Sequence, residues 1–468
     1  MTGIILDPYL TRFMKTLFQS LLVAFATILA AHAEKKPMNV VVMLADDWRY
    51  DTLGAAGNPI VKTPHLDRLA ANGVNFTHAC VTTSICGVSR ASIMTGQWMS
   101  RHGNEGFKRF VTPWAETYPG ILRAKGYHTG HVGKWHCGKF NPKNFDFGRS
   151  YSGRHWIKDE EGNKIHVTAK NLKDSMDFLD NRPKDKPFLL NLCFFAAHAE
   201  DPNPKQFLPQ PHSMKLYTDV TIPNPEMRSE KAHKNLPPFL QTEKNEGVKR
   251  YHWRFTTDEN FQTMMKNYYR LCTEVDEVCG AVIERLRKEG ELENTLIIFL
   301  GDNGYFHGDR MLADKWYPYE ESIRVPMIVF DPRIPKDKRG QKNDEFALNV
   351  DLAPTIIKAL GFDIPKGVQG QDLAPLYVHG PNPKANKAWR KEFFYQHGTI
   401  TSRDRIPASE AVVTKTMKYS WWPEWKYEEL FDLTKDPLEQ NNLVKDPTYT
   451  DQLASMRKKH GKLANAAK

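Results

Sequence analysis

The sequence lacks the patterns that identify several common classes of protein. After residue 30, no apolar run approaches the roughly 20 residues that a membrane-spanning helix needs, so we expect no stable membrane insertion. Cysteines with zinc-site spacing are absent, and so are internal repeats. Lys and Arg outnumber Asp and Glu by 65 to 55, but the basic residues are scattered and no recognition motif organises them. We therefore expect no nucleic-acid partner, and an anionic substrate accounts for the positive net charge equally well.

The N-terminal segment, residues 1–33, has the pattern of a signal peptide. Lys15 precedes an apolar run over residues 17–30, and Ala31 and Ala33 place small side chains at a cleavage site. The run is too short to span a membrane comfortably. The pattern predicts a protein that is exported to the periplasm or the extracellular space, with a buried N-terminal helix as the alternative reading.

An exported chain is expected to pair its cysteines, but the spacing here argues against at least one pair. Cys272 and Cys279 are seven residues apart on a predicted helix, about 10 Å along its axis, whereas a disulfide needs Cα atoms within about 7 Å. Cys193 lies inside an apolar strand and is interpreted as a small core residue. Cys86 stands apart from the others because it lies in a polar loop.

Strands and helices alternate along most of the chain. Helical periodicity covers residues 66–72 and 261–288, and residues 199–256 show no periodicity, so we expect a long excursion of loops there. Continuous apolar strands separated by helices indicate an α/β fold whose sheet is covered on both faces. The predicted strands are residues 39–44, 127–132, 187–195, 295–300 and 325–330.

Near residue 375 the chain changes character, from long buried runs to short β-like ones followed by a helical tail. We therefore expect a catalytic domain over residues 34–375 and a smaller C-terminal α+β subdomain over residues 376–468. The predicted elements of this subdomain are strands at residues 392–396, 411–414 and 419–422 and a helix at 451–467.

Polar side chains directly follow two of the predicted strands. Asp46 and Asp47 come after the run 40–44, and Asp302 and Asn303 come after the run 297–300. Ligands of a parallel sheet gather outside the carboxyl ends of its strands. Three carboxylates and one amide suit a hard cation, Ca²⁺ or Mg²⁺. The alternative is two ordinary turns, because Asp is frequent after strands.

Residues 86–96 read Cys-Gly-Val-Ser-Arg-Ala-Ser-Ile-Met-Thr-Gly. This run resembles the signature of the type I, formylglycine-dependent sulfatase family, which is Cys-x-Pro-Ser-Arg, four residues, then Thr-Gly. The runs around Cys86 and Lys315 resemble the branch that contains N-acetylglucosamine-6-sulfatases. Other elements typical of the family follow in order: Asp46-Asp47, Thr63-Pro64-His65-Leu66-Asp67-Arg68-Leu69-Ala70, Gly133-Lys134-Trp135-His136, His198, Gly301-Asp302-Asn303-Gly304, Lys315, Glu320-Glu321-Ser322-Ile323-Arg324-Val325-Pro326, Asp351-Leu352-Ala353-Pro354-Thr355 and Glu429-Leu430-Phe431-Asp432-Leu433.

The resemblance implies both a fold and a reaction. The fold is the alkaline-phosphatase-like α/β sandwich, with a large central mixed β-sheet flanked by helices and a smaller C-terminal α+β subdomain. The reaction is hydrolysis of a sulfate ester, which for an exported basic protein points to a sulfated carbohydrate such as a glycosaminoglycan or algal polysaccharide. A phosphonate or phosphate ester hydrolase of the same fold is the first alternative. A catalytically inactive binder of sulfated glycans is the second.

The resemblance also implies a nucleophile that is made after translation. A formylglycine-generating maturation enzyme oxidises the residue at Cys86, and the aldehyde hydrates to a geminal diol. One hydroxyl attacks the sulfur to form a sulfo-enzyme intermediate, and the other expels sulfate. The family has Pro, or sometimes Ala, where this chain has Val88. We expect maturation to survive with lower efficiency, because valine tolerates the extended conformation that the maturation enzyme reads. The alternative is an unmodified, inactive chain.

The resemblance assigns roles to individual side chains. We expect Ca²⁺, in preference to Mg²⁺, to be bound by the two acidic strand ends and by the converted Cys86. Lys134 and Lys315 hold sulfate oxygens, and Arg90 anchors the diol or a metal ligand. The set is completed by His136 as the base, His198 as the acid beside Lys315, and three expected substrate-pocket residues, Asp309, Arg310 and His397.

Overall fold

A mixed eight-stranded sheet lies at the centre of the fold. The computed structural model describes residues 36–201, 203–380 and 383–468, so the predicted signal peptide lies outside the described residues. Within this part of the chain, residues Met38–Lys468 pack as one unit. No helix among the described residues has the length and apolar character that crossing a membrane requires.

The strands are numbered in chain order: β1 (Asn39–Ala45), β2 (Val74–Phe76), β3 (Ala79–Cys80), β4 (His128–Gly133), β5 (Phe147–Ser150), β6 (Trp156–Lys158), β7 (Lys164–His166), β8 (Phe188–Cys193), β9 (Thr295–Gly301), β10 (Phe306–His307), β11 (Ala313–Asp314), β12 (Met327–Phe330), β13 (Gln341–Asn343), β14 (Ala347–Leu348), β15 (Glu392–His397), β16 (Ser409–Thr414), β17 (Met417–Trp422) and β18 (Tyr427–Asp432).

The helices of the described residues are numbered in the same way: α1 (Pro64–Ala71), α2 (Cys86–Thr95), α3 (Met99–His102), α4 (Tyr118–Ala124), α5 (Val167–Asn181), α6 (Glu230–Lys234), α7 (Glu246–Arg254), α8 (Asp258–Lys288), α9 (Glu320–Ile323), α10 (Leu352–Ala359), α11 (Pro383–Ala388) and α12 (Thr450–Ala467).

The central sheet has the strand order β13-β2-β12-β9-β1-β8-β4-β5. Strands β9, β1, β8, β4 and β5 are parallel, and β12 pairs antiparallel with β9 and β2. Alternate residues of β1 enter different cores: Val41 and Met43 pack in the core that contains helix α8, whereas Val40 and Val42 pack in the core that contains helix α10. Both faces are therefore covered, which is why this strand is a continuous apolar run instead of an alternating one.

The five strands predicted for the central sheet are confirmed, each within two residues of its observed ends. The predicted helix 261–288 is also present and begins three residues earlier, where the Thr257 side chain caps the backbone N–H of Asn260. The expectation of loops throughout residues 199–256 is wrong, because α6 and α7 lie there. Helix α7 has only nine residues and few buried apolar positions, so it leaves little helical periodicity in the sequence.

The C-terminal part forms a four-stranded antiparallel sheet in the order β15-β16-β17-β18. The three predicted strands and the helical tail, α12, are confirmed, and the fourth strand, β18, was not predicted. Helix α12 packs on this sheet through Leu453 and Met456. All six cysteines are buried and unpaired, which confirms that Cys272 and Cys279 form no disulfide.

Candidate active site

Four neighbouring parallel strands end at one edge of the central sheet. In the order β9, β1, β8 and β4, they are followed by Asp302, by Asp46 and Asp47, by the segment that leads to His198, and by Lys134. Because parallel strands place their carboxyl ends at the same edge, residues up to 256 positions apart in the chain come into direct contact. This edge therefore collects most of the candidate catalytic residues.

The acidic strand ends hold oxygen atoms that have no hydrogen-bond donor. Asp46 Oδ1, Asp47 Oδ2 and Asn303 Oδ1 are buried and lack a partner within the described residues. The Asn303 side chain is oriented by donating to Asp47 Oδ1 at 2.7 Å and to the Gly304 carbonyl at 2.9 Å. Buried oxygens without donors are costly, and such a set of carboxylate and amide oxygens suits a hard divalent cation. The residues present thus fit Ca²⁺ or Mg²⁺.

A histidine adjoins the same oxygens. His198 Nε2 lies 3.6 Å from Asp47 Oδ2, and its Nδ1 lies 2.6 Å from the Ala199 carbonyl oxygen. Ligand atoms of Asp46, Asp47 and His198 all fall within 4.8 Å of one another. Burial, together with the positive charge of Lys315, lowers the pKa of His198 well below its ordinary value. The imidazole is therefore neutral at physiological pH.

Cys86 is the first residue of helix α2, directly after Ile85 in extended conformation. The N-terminus of a helix favours anionic groups, because unpaired backbone N–H groups point out of it. Cys86 Sγ lies 3.0 Å from His136 Nδ1. Burial and the charge of Lys134 lower the pKa of His136 to about 2, so this ring is also neutral. Burial raises the pKa of the Cys86 thiol to about 11.

Arg90 connects helix α2 with the segments that follow strands β9, β4 and β8. Its Nε donates to Asp302 Oδ2 at 2.7 Å, and its Nη1 and Nη2 donate to the carbonyl oxygens of Lys134 and Phe194 at 2.6 and 3.3 Å. The guanidinium is almost completely buried, and its hydrogen bonds fix these groups relative to one another. Arg90 lies four residues after Cys86, on the same side of α2.

Two buried lysines balance the charge of the carboxylates. Lys134 donates to Asp46 Oδ2, and Lys315 donates to Asp47 Oδ1. Burial opposes ionisation of Asp46, but the neighbouring positive groups, led by the Lys134 ammonium, together outweigh it and lower the pKa of this carboxyl. Both lysines are charged, since the carboxylates raise their pKa values against the effect of burial. They therefore present fixed positive charge beside Cys86.

Several residues of this site have a strained backbone conformation. Asp47, His136, Asp314 and Trp316 all have positive φ angles, between 53° and 84°. Residues other than glycine rarely adopt this conformation, and a bulky residue such as tryptophan does so only when the surrounding structure imposes it. Two of these residues flank Lys315, so the strained turn sets the direction of that lysine.

These groups surround one cavity of about 300 Å³. Cys86, Lys134, His136, His198 and Lys315 line it, as expected from the sequence. Sequence reasoning missed the rest of the wall, because nothing local distinguishes these residues from loop and surface residues. The missed residues that line the cavity are Ile85, Phe107, Ser152, Gly153, Phe195, Ala199, Asp201, Arg250 and Trp316.

The three residues expected in the substrate pocket do not line this cavity. Asp309 accepts from Arg49 Nη1 at 2.6 Å, and Arg310 donates to the carbonyl oxygens of Leu438 and Glu439. Both line a second cavity of about 330 Å³, whose wall also includes Arg49, Glu320 and Glu439. His397 is buried at the end of β15, and its ring nitrogens have no hydrogen-bond partner within the described residues.

Comparison with known proteins supplies the family. The profile of the family described as "Sulfatase" matches residues 38–362. The chain belongs to the sulfatase family. The profile described as "N-sulphoglucosamine sulphohydrolase, C-terminal" matches residues 308–466 of this sulfatase, which include the small antiparallel sheet. The protein is thus a sulfuric ester hydrolase with the fold expected from the sequence.

Named relatives span nearly the whole sulfatase chain. An arylsulfatase of Clostridium perfringens is 29% identical over 473 residues, covering 90% of this chain and 93% of that protein. An N-acetylglucosamine-6-O-sulfatase of Bacteroides thetaiotaomicron is 26% identical over 484 residues, covering 89% and 84%. A solved structure, described as bound to its substrate D-glucosamine-2-N,6-O-disulfate, has a TM-score of 0.77 at 23% identity and covers 92% of this chain and 98% of that one.

Proposed function

We propose that this sulfatase hydrolyses an O-sulfate ester on a sulfated carbohydrate, through a formylglycine that is made from Cys86. One observation carries the proposal: Cys86 begins a helix at the wall of a cavity, 3.0 Å from a neutral histidine and beside two buried lysines. A nucleophile, a base and fixed positive charge for sulfate oxygens are thereby brought together.

Conversion of Cys86 is required by the chemistry of the second step. Burial raises the pKa of its thiol to about 11, so an unmodified side chain would be a poor nucleophile. Even after attack, a thiol has no second group that could expel the bound sulfate. A geminal diol has one: loss of a proton from the second hydroxyl re-forms the C=O bond and breaks the C–O bond to sulfate.

The side chains around position 86 then have distinct tasks. Lys134 and Lys315 hold sulfate oxygens while one diol hydroxyl gives its proton to His136, its oxygen bonds to sulfur, and the sugar oxygen leaves. His136 returns that proton to solvent before the second step. The leaving oxygen takes a proton from the charged ammonium group of Lys315, and His198 lines the same cavity beside it. His136, neutral and next to position 86, accepts the proton of the second hydroxyl, and sulfate departs with the electrons of the broken C–O bond.

We propose that Asp46, Asp47, Asp302 and Asn303 hold Ca²⁺, with the converted side chain of Cys86 beside it. When bound, the ion supplies a Lewis acid for a sulfate oxygen and for the diol. The unpartnered oxygens of Asp46, Asp47 and Asn303 support this assignment. Ca²⁺ is preferred to Mg²⁺ because an all-protein oxygen cage suits calcium, whereas magnesium usually keeps several waters.

The sulfated-carbohydrate substrate has two supports. Two of the relatives compared above carry glucosamine sulfates in their names or bound substrates. The cavity of about 300 Å³ is at the small end of the range for ligand sites, which is about 300–1,000 Å³. It is therefore suited to one sulfated sugar residue and not to a longer stretch of polysaccharide.

Maturation has to precede folding. Cys86 is 2% exposed and Val88 is 1% exposed in the folded protein, where Val88 packs with Ile85 and Trp316. A formylglycine-generating enzyme could reach this run only in the extended chain. We propose that conversion occurs before or during export to the periplasm or the extracellular space. N-terminal sequencing and mass spectrometry of the secreted protein test both statements.

The decisive experiment combines mass spectrometry with turnover. Protein from a host that has the maturation enzyme should show formylglycine in the tryptic peptide that ends at Arg90, and should release sulfate from a panel of saccharides led by 6-O-sulfated N-acetylglucosamine. Cys86→Ala should abolish turnover without loss of folding. Retained turnover in that variant would overturn the mechanism, and faster hydrolysis of aryl phosphonates than of any sulfate ester would overturn the reaction.

A further inference from the structure

An ion pair that no step of the reaction uses forms part of the cavity wall. Asp201 lies three residues after His198, and Arg250 lies in helix α7. Arg250 Nη1 lies 2.6 Å from Asp201 Oδ2 and 2.8 Å from Asp314 Oδ2. Both side chains are partly exposed, at 26% for Asp201 and 16% for Arg250, so they face the cavity while being held by the protein.

The pair presents one free donor and one acceptor. Nε of Arg250 donates to Glu246 Oε1 at 2.8 Å, whereas its Nη2 forms no hydrogen bond with any residue that the structure describes. Asp201 Oδ1 accepts a hydrogen bond from Arg254 Nη2, and Asp201 Oδ2 forms the ion pair with Arg250 Nη1. Each carboxylate oxygen can accept a further hydrogen bond. A hydroxyl group both donates and accepts, so a donor and an acceptor side by side are complementary to it.

The ion pairs around Asp201 and Arg250 make binding of an acidic ligand at this position unfavourable. Asp201, Asp314 and Glu246 are balanced by Arg250, Arg254 and Arg405 through direct ion pairs. Three carboxylates thus face three guanidinium groups, so this network adds no net positive charge for a carboxylate or a second sulfate. The neighbouring Lys315 ammonium, 3.9 Å from Asp314 Oδ1, is paired with Asp47. Either anion would also approach the partly exposed Asp201 carboxylate.

The Arg250 guanidinium is also held in place. It lies 5.5 Å from the centroid of the Trp316 ring and 5.8 Å from that of Trp253. Trp316 is itself part of the cavity wall and follows Lys315 in the chain. A fixed guanidinium loses little conformational entropy when it binds, which suits a group that selects a substrate.

We propose that Asp201 and Arg250 form a hydroxyl-binding subsite for the sugar ring that bears the sulfate ester. The subsite deepens the function proposed above and rests on it. It distinguishes a sulfated sugar from an aryl sulfate, which has no hydroxyl at this position. The lysines and histidines around Cys86 act on the sulfate of either substrate.

The test compares two substrates in matched variants. For Asp201→Asn and Arg250→Gln, kcat/KM on 6-O-sulfated N-acetylglucosamine should fall about 10- to 100-fold, the effect of removing a hydrogen bond to a charged group, while kcat/KM on 4-nitrophenyl sulfate stays within about threefold. Arg405→Gln is the control, because Arg405 pairs with Glu246 of the same network but does not line the cavity. It should leave both values unchanged.

Deoxygenated substrates locate the hydroxyl. With the wild-type enzyme, removal of one hydroxyl of the sugar, the 3-hydroxyl or the 4-hydroxyl, should lower kcat/KM as much as Asp201→Asn lowers it for the intact sugar. When that deoxy sugar is combined with Asp201→Asn, kcat/KM should fall no further than with either change alone. If Asp201→Asn and Arg250→Gln lowered kcat/KM equally for the sugar sulfate and the aryl sulfate, the two residues would have a structural role and the subsite would be overturned. A wild-type enzyme that hydrolyses 4-nitrophenyl sulfate but not the sugar sulfate would also overturn it.

Binding tests the subsite independently of turnover. Calorimetry with the Cys86→Ala protein and 6-O-sulfated N-acetylglucosamine should show binding that Asp201→Asn weakens about 10-fold or more and Arg405→Gln leaves intact. An unchanged affinity in Asp201→Asn would overturn the subsite. Loss of all sulfatase turnover in wild-type protein that still binds the sugar would count against the proposed reaction alone.

Discussion

The hydroxyl of Tyr395 lies 2.7 Å from Oγ of Ser84, although 311 residues separate them. Ser322 Oγ donates to Ser84 Oγ at 2.9 Å, and the Tyr395 hydroxyl donates to the Trp316 carbonyl at 2.7 Å. Ser84 precedes Cys86 by two residues, and Trp316 directly follows Lys315. Strand β15 of the small sheet therefore supports both the segment that precedes Cys86 and the strained turn that contains Lys315.

Tyr395→Phe tests this support. The substitution leaves the buried Trp316 carbonyl without its donor and Ser84 without its acceptor, so the free energy of unfolding should fall by about 1–3 kcal/mol. The activity should fall as well, because the groups on both sides of the site lose a support. Urea unfolding and steady-state kinetics measure the two effects.

Tyr419→Phe is the control, since this hydroxyl donates to Glu428 Oε1 in the same small sheet, away from Cys86. It should leave kcat/KM unchanged. If both tyrosine variants kept wild-type activity, the small sheet would have no part in positioning the site.

Removal of the metal should lower both activity and stability. Ligand binding to the folded state raises its stability, by about 2.7 kcal/mol at a concentration 100 times the dissociation constant. Chelation should thus lower Tm and abolish turnover, and Ca²⁺ should restore both more effectively than Mg²⁺. Asp47→Asn should remove the Ca²⁺-dependent rise in Tm, whereas Asp258→Asn, at an exposed ion pair with Arg228, should keep it. An unchanged Tm after chelation would argue against the site.

Gly87→Ala tests the packing beneath the nucleophile. A Cβ atom at position 87 would lie 2.6 Å from the His136 carbonyl oxygen and 2.8 Å from that of Gly106. The backbone of His136, the proposed base, would have to move. We therefore expect kcat to fall by more than any loss of folded protein explains, because a small misplacement of a catalytic group is costly. Gly461→Ala, in open space on α12, should instead stabilise the protein by about 0.5–1 kcal/mol with unchanged kcat. A Gly87→Ala enzyme with wild-type kcat would contradict this prediction.

The buried Glu429 carboxyl predicts a pH dependence of stability. Burial raises its pKa to about 7, while Trp422 and Tyr319 donate to it and Arg310 and Glu439 supply nearby charges. An unfolded glutamate has a pKa of about 4.3, so between about pH 4 and pH 7 only the folded state keeps this proton. The contribution of Glu429 to stability is therefore complete below about pH 4, and it is lost as the pH rises to about 7.

Glu429→Gln has no titratable proton, and like the protonated carboxyl it offers one acceptor oxygen and one donor group. Urea unfolding should show the variant gaining stability relative to wild type when the pH is raised from 5 to 8. Glu428→Gln is the matched control, because hydrogen bonding to Arg457 lowers the pKa of Glu428 and leaves it ionised across this range. A constant difference between Glu429→Gln and wild type would contradict the raised pKa.

The sequence alone predicted the central strands, the long helix α8 and the position of both acidic strand ends. These features are local: a continuous apolar run indicates a strand covered on both faces, and the residues after Ala45 and Gly301 follow directly from where those strands end. Helix α7 and strand β18 were missed because short elements contain too few periodic positions.

Only the tertiary structure decided which residues share the cavity. The strand order β9-β1-β8-β4 does not follow the order of the chain, so the contact of Asn303 with Asp47 depends on the crossovers between strands. Asp201 meets Arg250 because α7 folds back over the carboxyl edge, and Asp309 pairs with Arg49 instead of lining the Cys86 cavity. Local propensity determines the strands and helices, but contacts between residues distant in sequence form only when packing brings their elements together.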